Sequence, residues 1–162
     1  MTFPDNQPQA QQRAHRGRRV ALCLGMAGLL ALPLLSRAAD LEAAQIRADT
    51  VPAPLTATPG NPAQGRELLV KRENANCILC HALPEVRFSG DLAPTLAGVG
   101  ARLSPAQLRL RVADNARVYP NTIMPAYYRS SGLRQVAAQY QGRTILSAQE
   151  VEDVVAYLGT LK

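Results

Sequence analysis

The sequence predicts an all-α fold, a domain of a few helices joined by long loops. Segments that begin at Ser104 and Ser147 carry helix-start signals, and apolar residues follow at helical spacing. Aromatic residues make up only 4% of the 162-residue chain, and tryptophan is absent. A small domain with so few large side chains has a thin core, so a bound apolar group is expected to complete it.

The segment from Asn76 to His81 (NCILCH) contains the pattern C-x-x-C-H, which is the attachment signature of a c-type haem. Cys77 and Cys80 are spaced so that each can form a thioether with one vinyl group of the same porphyrin. His81 follows directly and is predicted to be an axial iron ligand. The chain after this motif has no further Cys or His, so a zinc site cannot be completed there. A thioredoxin-like redox pair is the remaining alternative, and it does not require His81.

The second axial ligand of the iron is predicted to be Met124, the only methionine beyond residue 38. Pro125 disfavours helix at the preceding residue, which indicates an extended segment around Met124. A thioether sulfur is a common second ligand in cytochromes c and raises the potential. The alternatives are a methionine of the core and an iron that is open or differently ligated. One covalent haem with His and Met ligands predicts the class I cytochrome c fold.

Two further residues are predicted to contact the haem or its ligand. In small c-type cytochromes a proline carbonyl in the loop after the motif accepts Nδ1–H of the proximal histidine and fixes its tautomer, and Pro94 is placed for that role with His81. An ordinary turn proline is the alternative. Tyr127 is predicted to pack at the haem edge as a structural side chain rather than as a redox group.

The first helix is predicted to begin after Asn61, an N-cap residue followed by proline, and to end near residue 72. Gly65 lowers the stability of this helix, which suggests a close contact with another element. We expect that contact to be with the last helix of the chain, near Tyr157 or Leu158.

Two capping boxes predict the other main helices. Ser104 with Gln107 begins a helix that runs from 105 to about 114, and Ser147 with Glu150 begins one that runs from 148 to about 161. Residues 133–140 are predicted to form a short helix.

The first 38 residues are predicted to be a secretory signal peptide. A polar, basic stretch precedes a 16-residue apolar run at residues 20–35, and small residues precede a cleavage site after Ala38. Such a chain is expected in the periplasm without a stable membrane span; an uncleaved anchor is the alternative. Residues 39–60 are then an extended N-terminal arm ending in a linker, with disorder or a strap on a partner subunit as alternatives. Residues 61–162 form the cytochrome c domain.

The charge of the chain is concentrated in this first segment. Beyond residue 38 the chain holds 13 basic and 11 acidic residues, a net charge of +2. No basic run is interleaved with aromatic residues, so nothing indicates a nucleic-acid partner.

From about residue 65 to residue 162 the chain resembles SoxX, the small cytochrome of the sulfur-oxidising SoxAX complex. The resemblance rests on a combination of motifs rather than on C-x-x-C-H. These are NCILCH at 76–81, LAGVGAR at 96–102, MPAYYR at 124–129 and ILSAQEVEDVVAYL at 145–158. The chain departs from the family at Ala93-Pro94, where a Gly-Pro pair is common.

The resemblance implies a role in thiosulfate oxidation. SoxX-like proteins pair with a larger cytochrome, SoxA, whose haem is ligated by a modified cysteine at which the sulfur chemistry occurs. The pair joins thiosulfate to a cysteine of the carrier SoxYZ. This chain would be the electron-transfer subunit of that heterodimeric L-cysteine S-thiosulfotransferase, and it would pass electrons to a small soluble cytochrome. None of its own residues would be catalytic.

Two alternatives stand beside that implication. One is a stand-alone periplasmic electron-transfer cytochrome c of another respiratory pathway. The other is a ligand-binding or peroxidase-like haem protein, which would need an exchangeable sixth ligand and a distal acid–base group. No histidine follows His81 to provide such a group.

Overall fold

The computed structural model describes residues 40–71 and 75–162, so the predicted signal peptide and its cleavage site lie outside the described residues. Within these ranges the chain forms α-helices, short 3₁₀ turns and isolated β-bridges, and no strand. The predicted all-α fold is therefore confirmed. The helices are α1 (Pro62–Val70), α2 (Cys77–Cys80), α3 (Val99–Arg102), α4 (Pro105–Asp114) and α5 (Ala148–Thr160).

Helix α1 begins as predicted. The side-chain oxygen of Asn61 accepts hydrogen bonds from the backbone N–H groups of Ala63 at 3.0 Å and Gln64 at 3.3 Å. These two donors have no partner within the helix, so the cap stabilises the first turn. The helix ends at Val70, where Lys71 is the C-cap.

Both capping boxes are formed. At α4, the hydroxyl of Ser104 accepts from the Gln107 N–H at 3.3 Å, and the Gln107 side chain accepts from the Ser104 N–H at 3.0 Å. At α5, Ser147 and Glu150 make the same reciprocal pair at 3.2 and 2.7 Å. The predicted helices over 105–114 and 148–161 are confirmed, with α5 ending at Thr160.

Helices α1 and α5 cross at Gly65, as the sequence predicted. A Cβ atom built on Gly65 would lie 1.9 Å from the carbonyl oxygen of Asp153, so only glycine permits this approach. The contact is one turn earlier on α5 than expected. Tyr157 makes a different contact, in which its hydroxyl donates to the carboxylate of Glu85 in the loop after the haem motif. Leu158 lines the cavities described below.

Replacing Gly65 by alanine is expected to destabilise the fold by about 1–3 kcal/mol, because the added methyl group forces two packed helices apart. The matched control is Gly159→Ala, since a Cβ at Gly159 meets nothing within 4 Å. That substitution should leave stability unchanged or raise it slightly through helix propensity. Denaturant midpoints of the two variants test the difference, and equal midpoints would contradict the packing argument.

Residues 39–60 were predicted to be an extended arm; the described part, 40–60, contains a 3₁₀ turn (Ala43–Gln45) and several bends, and it packs on the rest of the chain. Val51 is fully buried, and its N–H donates to the carbonyl of Ala106 in α4 at 3.0 Å. The N–H of Leu41 donates to the carbonyl of Tyr128 at 3.4 Å. The arm therefore contributes to the core, and the predicted domain boundary at residue 61 stays a prediction.

The helix predicted over residues 133–140 is wrong except for one 3₁₀ turn, Ala138–Tyr140. Two residues of this region have left-handed backbone angles, with φ of 65° at Gly132 and 53° at Gln135. A residue in that conformation cannot continue a right-handed helix. None of the helices in the described part of the chain is long and apolar enough to cross a bilayer.

Candidate haem site

Helix α2 places the two cysteines and the histidine of the motif against one cavity. Asn76 starts the turn in the left-handed region, with φ of 52°, and the N–H of His81 closes it on the carbonyl of Cys77 at 3.0 Å. One helical turn between Cys77 and Cys80 presents both thiols on the same side. Both line a cavity of about 140 Å³ together with His81.

The ring of His81 is oriented by the loop that follows the motif. Its Nδ1 lies 2.7 Å from the carbonyl oxygen of Pro94, which is the contact predicted from the sequence. The loop is held there because the N–H of Ala93 donates to the carbonyl of Cys80 at 2.9 Å. With Nδ1 as the donor, Nε2 of His81 keeps its lone pair for a metal ion.

Gly90 brings the same loop against α2, a role that the sequence did not reveal. Its N–H donates to the carbonyl of Ile78 at 2.8 Å, and a Cβ atom at this position would lie 2.0 Å from the carbonyl of Leu79. Gly90 therefore allows the loop to pack closely against α2. The loop contains several glycines, and nothing in the sequence distinguishes Gly90 from the others.

The end of α4 orients the segment that carries Met124. The hydroxyl of Thr122 accepts from the side-chain amide of Asn115 at 3.0 Å and from the N–H of Met124 at 3.2 Å. The sequence predicted only that a helix ends near residue 114, and it indicated no role for Asn115 at the site. Both Asn115 and Thr122 line the cavity that holds the two cysteines, and they fix the backbone beside the predicted sulfur ligand.

Tyr127 connects the two sides of the site. Its buried hydroxyl donates to the carbonyl of Ala75 at 2.6 Å, and its own carbonyl accepts from the N–H of Leu146 at 2.9 Å. Burial raises its pKa well above the ordinary range, which keeps the phenol protonated. The structure thus places Tyr127 as a buried packing residue, consistent with the structural role predicted for it.

The thiol of Cys77 is not an activated nucleophile. Burial raises its pKa to about 11, so it stays protonated at neutral pH in the protein without bound groups. Redox-active C-x-x-C pairs instead lower the pKa of one thiol to form a thiolate. Cys77 is therefore not the activated thiol of such a pair.

Three cavities of about 370, 140 and 40 Å³ meet at this site, and His81 and Met124 line all three. Most of the remaining lining is apolar, including Leu96, Val112 and Leu158. Paired thiols, an imidazole and a thioether around an apolar space form a donor set that suits a covalently attached haem. The residues present therefore fit haem c.

Comparison with known proteins also indicates a protein that binds haem c. The family model described as cytochrome c matches residues 62–162. A solved chain from the crystal structure of SoxXA from P. pantotrophus is 40% identical, with a TM-score of 0.64; the alignment covers 70% of this chain and 90% of that one. Among curated proteins no sequence matches. The chain thus belongs to the cytochrome c family, binds haem c covalently and is a SoxX-like member of that family.

Proposed function

We propose that this chain is the monohaem electron-transfer subunit of a SoxAX-type heterodimer. The observation that carries the proposal is the 40% identity to a SoxXA chain across 90% of that chain. In this role the bound haem c takes up and releases one electron at a time. The chain is the electron-transfer part of a thiosulfate-oxidising enzyme and has no catalytic residue of its own.

The residues of the site divide into attachment, ligation and support. Cys77 and Cys80 hold the haem through thioethers, and His81 and Met124 ligate its iron. Pro94 supports the histidine through the 2.7 Å contact with Nδ1. The position of His81 and Met124 on all three cavities supports their pairing as ligands. Two protein ligands leave no open position for a substrate, so the sulfur chemistry belongs to the partner.

The partner reaction requires an electron acceptor of this kind. Joining thiosulfate to a carrier thiol forms one S–S bond and releases one proton and two electrons. A single haem of this chain accepts them one at a time, and a small soluble cytochrome is the next acceptor. The proposed partners are a larger SoxA-like cytochrome and a SoxYZ-like carrier. The proposed compartment is the periplasm, reached through the signal peptide predicted for residues 1–38.

Large apolar side chains in the haem-binding segments support a partner at this face. Leu79 lies between the two cysteines and is 65% exposed. Leu92, in the loop that ends at Pro94, is 68% exposed. Exposed apolar groups of this size are costly in water unless another surface covers them.

Purification from the periplasm tests the proposal. We expect the chain to elute with a larger c-type cytochrome at equal stoichiometry. The pair should be reduced by thiosulfate only when the carrier protein is present. A lone monomer with a haem c spectrum and no response to thiosulfate and carrier would instead support a stand-alone electron-transfer cytochrome.

Replacing Met124 by alanine is expected to lower the reduction potential and to open the iron to added ligands such as cyanide, because a thioether ligand raises the potential. Covalent haem should remain, since both cysteines are intact. Redox titration and visible spectra measure the effect. The control is Phe88→Ala, which truncates an exposed apolar side chain that lines none of the three cavities. An unchanged low-spin spectrum and potential in the Met124 variant would show that Met124 does not ligate the iron.

A further inference from the structure

The largest cavity at the haem site contains positive charge. Arg102 and Arg111 both line this space of about 370 Å³, next to His81 and Met124. Haem carries two carboxylate groups besides its apolar ring. A guanidinium group forms bidentate hydrogen bonds with a carboxylate better than any other side chain does. These two arginines are therefore the natural partners of the haem carboxylates on this face.

The two arginines are not held in the same way. Arg102 is exposed and donates to carbonyl groups of its own loop, those of Ala97 at 2.6 Å and Thr95 at 3.2 Å. Arg111 is only 18% exposed, and one of its nitrogen atoms lies 3.2 Å from the carboxylate of Asp49. Arg111 is thus tied to the N-terminal arm, which lies outside the residues that match the cytochrome c family model.

Asp49 is held in place by several contacts of the arm. Its carboxylate also accepts from the side-chain amide of Gln107 at 2.9 Å. Arg47 and Thr50 on either side exchange backbone hydrogen bonds at 2.9 and 3.0 Å, which fixes the turn. The hydrogen bonds from Gln107 and Arg111 lower the pKa of Asp49, so this carboxyl is ionised at neutral pH.

We propose that Arg111 pairs with a haem carboxylate, and that Asp49 of the arm positions this guanidinium and offsets part of its charge. The arm then contributes directly to the electrostatic environment of the haem. A positive charge near the iron favours the reduced state, whereas a negative charge favours the oxidised state. The two residues therefore shift the reduction potential in opposite directions. This inference needs only the bound haem and does not depend on the partner proposed above.

Redox titration of the haem-loaded protein tests the proposal through charge-removing variants. Arg111→Gln should lower the potential, and Asp49→Asn should raise it. The double variant should lie near the native value, because it removes a neutral pair. We expect each single variant to change the ratio of reduced to oxidised protein about threefold at a fixed potential, where tenfold equals about 59 mV for one electron.

Matched controls remove the same charges elsewhere. Arg134 is exposed and lines none of the three cavities, and Glu42 is an exposed acid of the same arm. Arg134→Gln and Glu42→Gln should shift the potential much less, because neither residue lines a haem-site cavity or pairs with Arg111. Arg111→Lys keeps the charge and should retain most of the native potential.

If the Arg111–Asp49 pair only stabilised the fold, the variants would give a different result. They would destabilise the oxidised and reduced proteins equally, which changes the unfolding midpoint and leaves the potential unmoved. Single variants that match their controls in potential, or that shift it in the same direction, would overturn the proposal. If Arg111→Gln does not fold, Asp49→Asn still decides the question, since Asp49 is 43% exposed and its amide replacement keeps the acceptor oxygen.

Discussion

Replacing both Cys77 and Cys80 by serine is expected to leave no haem on the protein after acid–acetone extraction. Thioethers to these two sulfur atoms are the only covalent attachment that the site offers, since no other cysteine occurs in the described part of the chain. Axial ligands alone hold haem reversibly, and extraction removes it. Spectra of the extracted protein measure the effect, and haem that survives extraction in the double variant would contradict the assignment.

If the double variant does not fold, single cysteine variants still test the assignment. Cys77→Ser and Cys80→Ser each retain one sulfur atom, so each should keep covalent haem with one vinyl group unreacted. The pyridine haemochrome band of each should then lie between those of haem c and free haem. The control is Met124→Ala, which should keep both thioethers and the full haem c band.

Breaking the buried ion pair between Arg109 and Glu152 is expected to destabilise the fold by about 3–5 kcal/mol, because removal of one partner leaves an uncompensated buried group. Both side chains are 6% exposed, and their two contacts measure 2.6 and 2.9 Å. The pair also anchors the arm: Arg109 donates to the carbonyl of Val51 at 2.7 Å, and Glu152 accepts from the N–H of Leu55 at 2.8 Å. Arg109→Leu and Glu152→Leu test this by denaturant unfolding of the oxidised protein.

An exposed ion pair provides the matched control. Lys71 and Glu67 lie 3.1 Å apart on α1, and their side chains are 60% and 53% exposed. Glu67→Leu should cost no more than about 1 kcal/mol, because solvent already screens the pair. Equal losses from Glu67→Leu and Glu152→Leu would mean that the buried pair does not anchor the arm.

The helix starts and the haem-attachment motif were predictable because each depends on residues close together in the chain. A capping box needs only a serine and a residue three positions later, and both boxes formed as predicted at Ser104 and Ser147. The haem motif spans one helical turn. The contact between His81 and Pro94 was also anticipated, because in small c-type cytochromes a proline carbonyl in the loop after the motif accepts Nδ1–H of the proximal histidine.

Other features depend on contacts between segments that are distant in the chain. Local sequence patterns do not specify such contacts. The contact at Gly65 was expected, but its register on α5 was placed one turn too late, and Tyr157 pairs with Glu85 instead. Gly90, Asn115 and Thr122 support the site through contacts that no motif encodes. The left-handed angle at Gln135 is incompatible with the helix predicted over residues 133–140.

The sequence by itself determined the class of fold, the covalent haem and its two candidate ligands. Each of these follows from short-range chemistry: thiol spacing, an adjacent imidazole, a single thioether and side-chain caps. Only the tertiary structure decided that residues 40–60 pack on α4 and α5, and that Asp49 reaches Arg111 at the haem cavity. The side-chain hydrogen bonds among those contacts join residues that are between 58 and 97 positions apart. Their energy comes from burial and charge pairing between segments, which a linear pattern cannot specify.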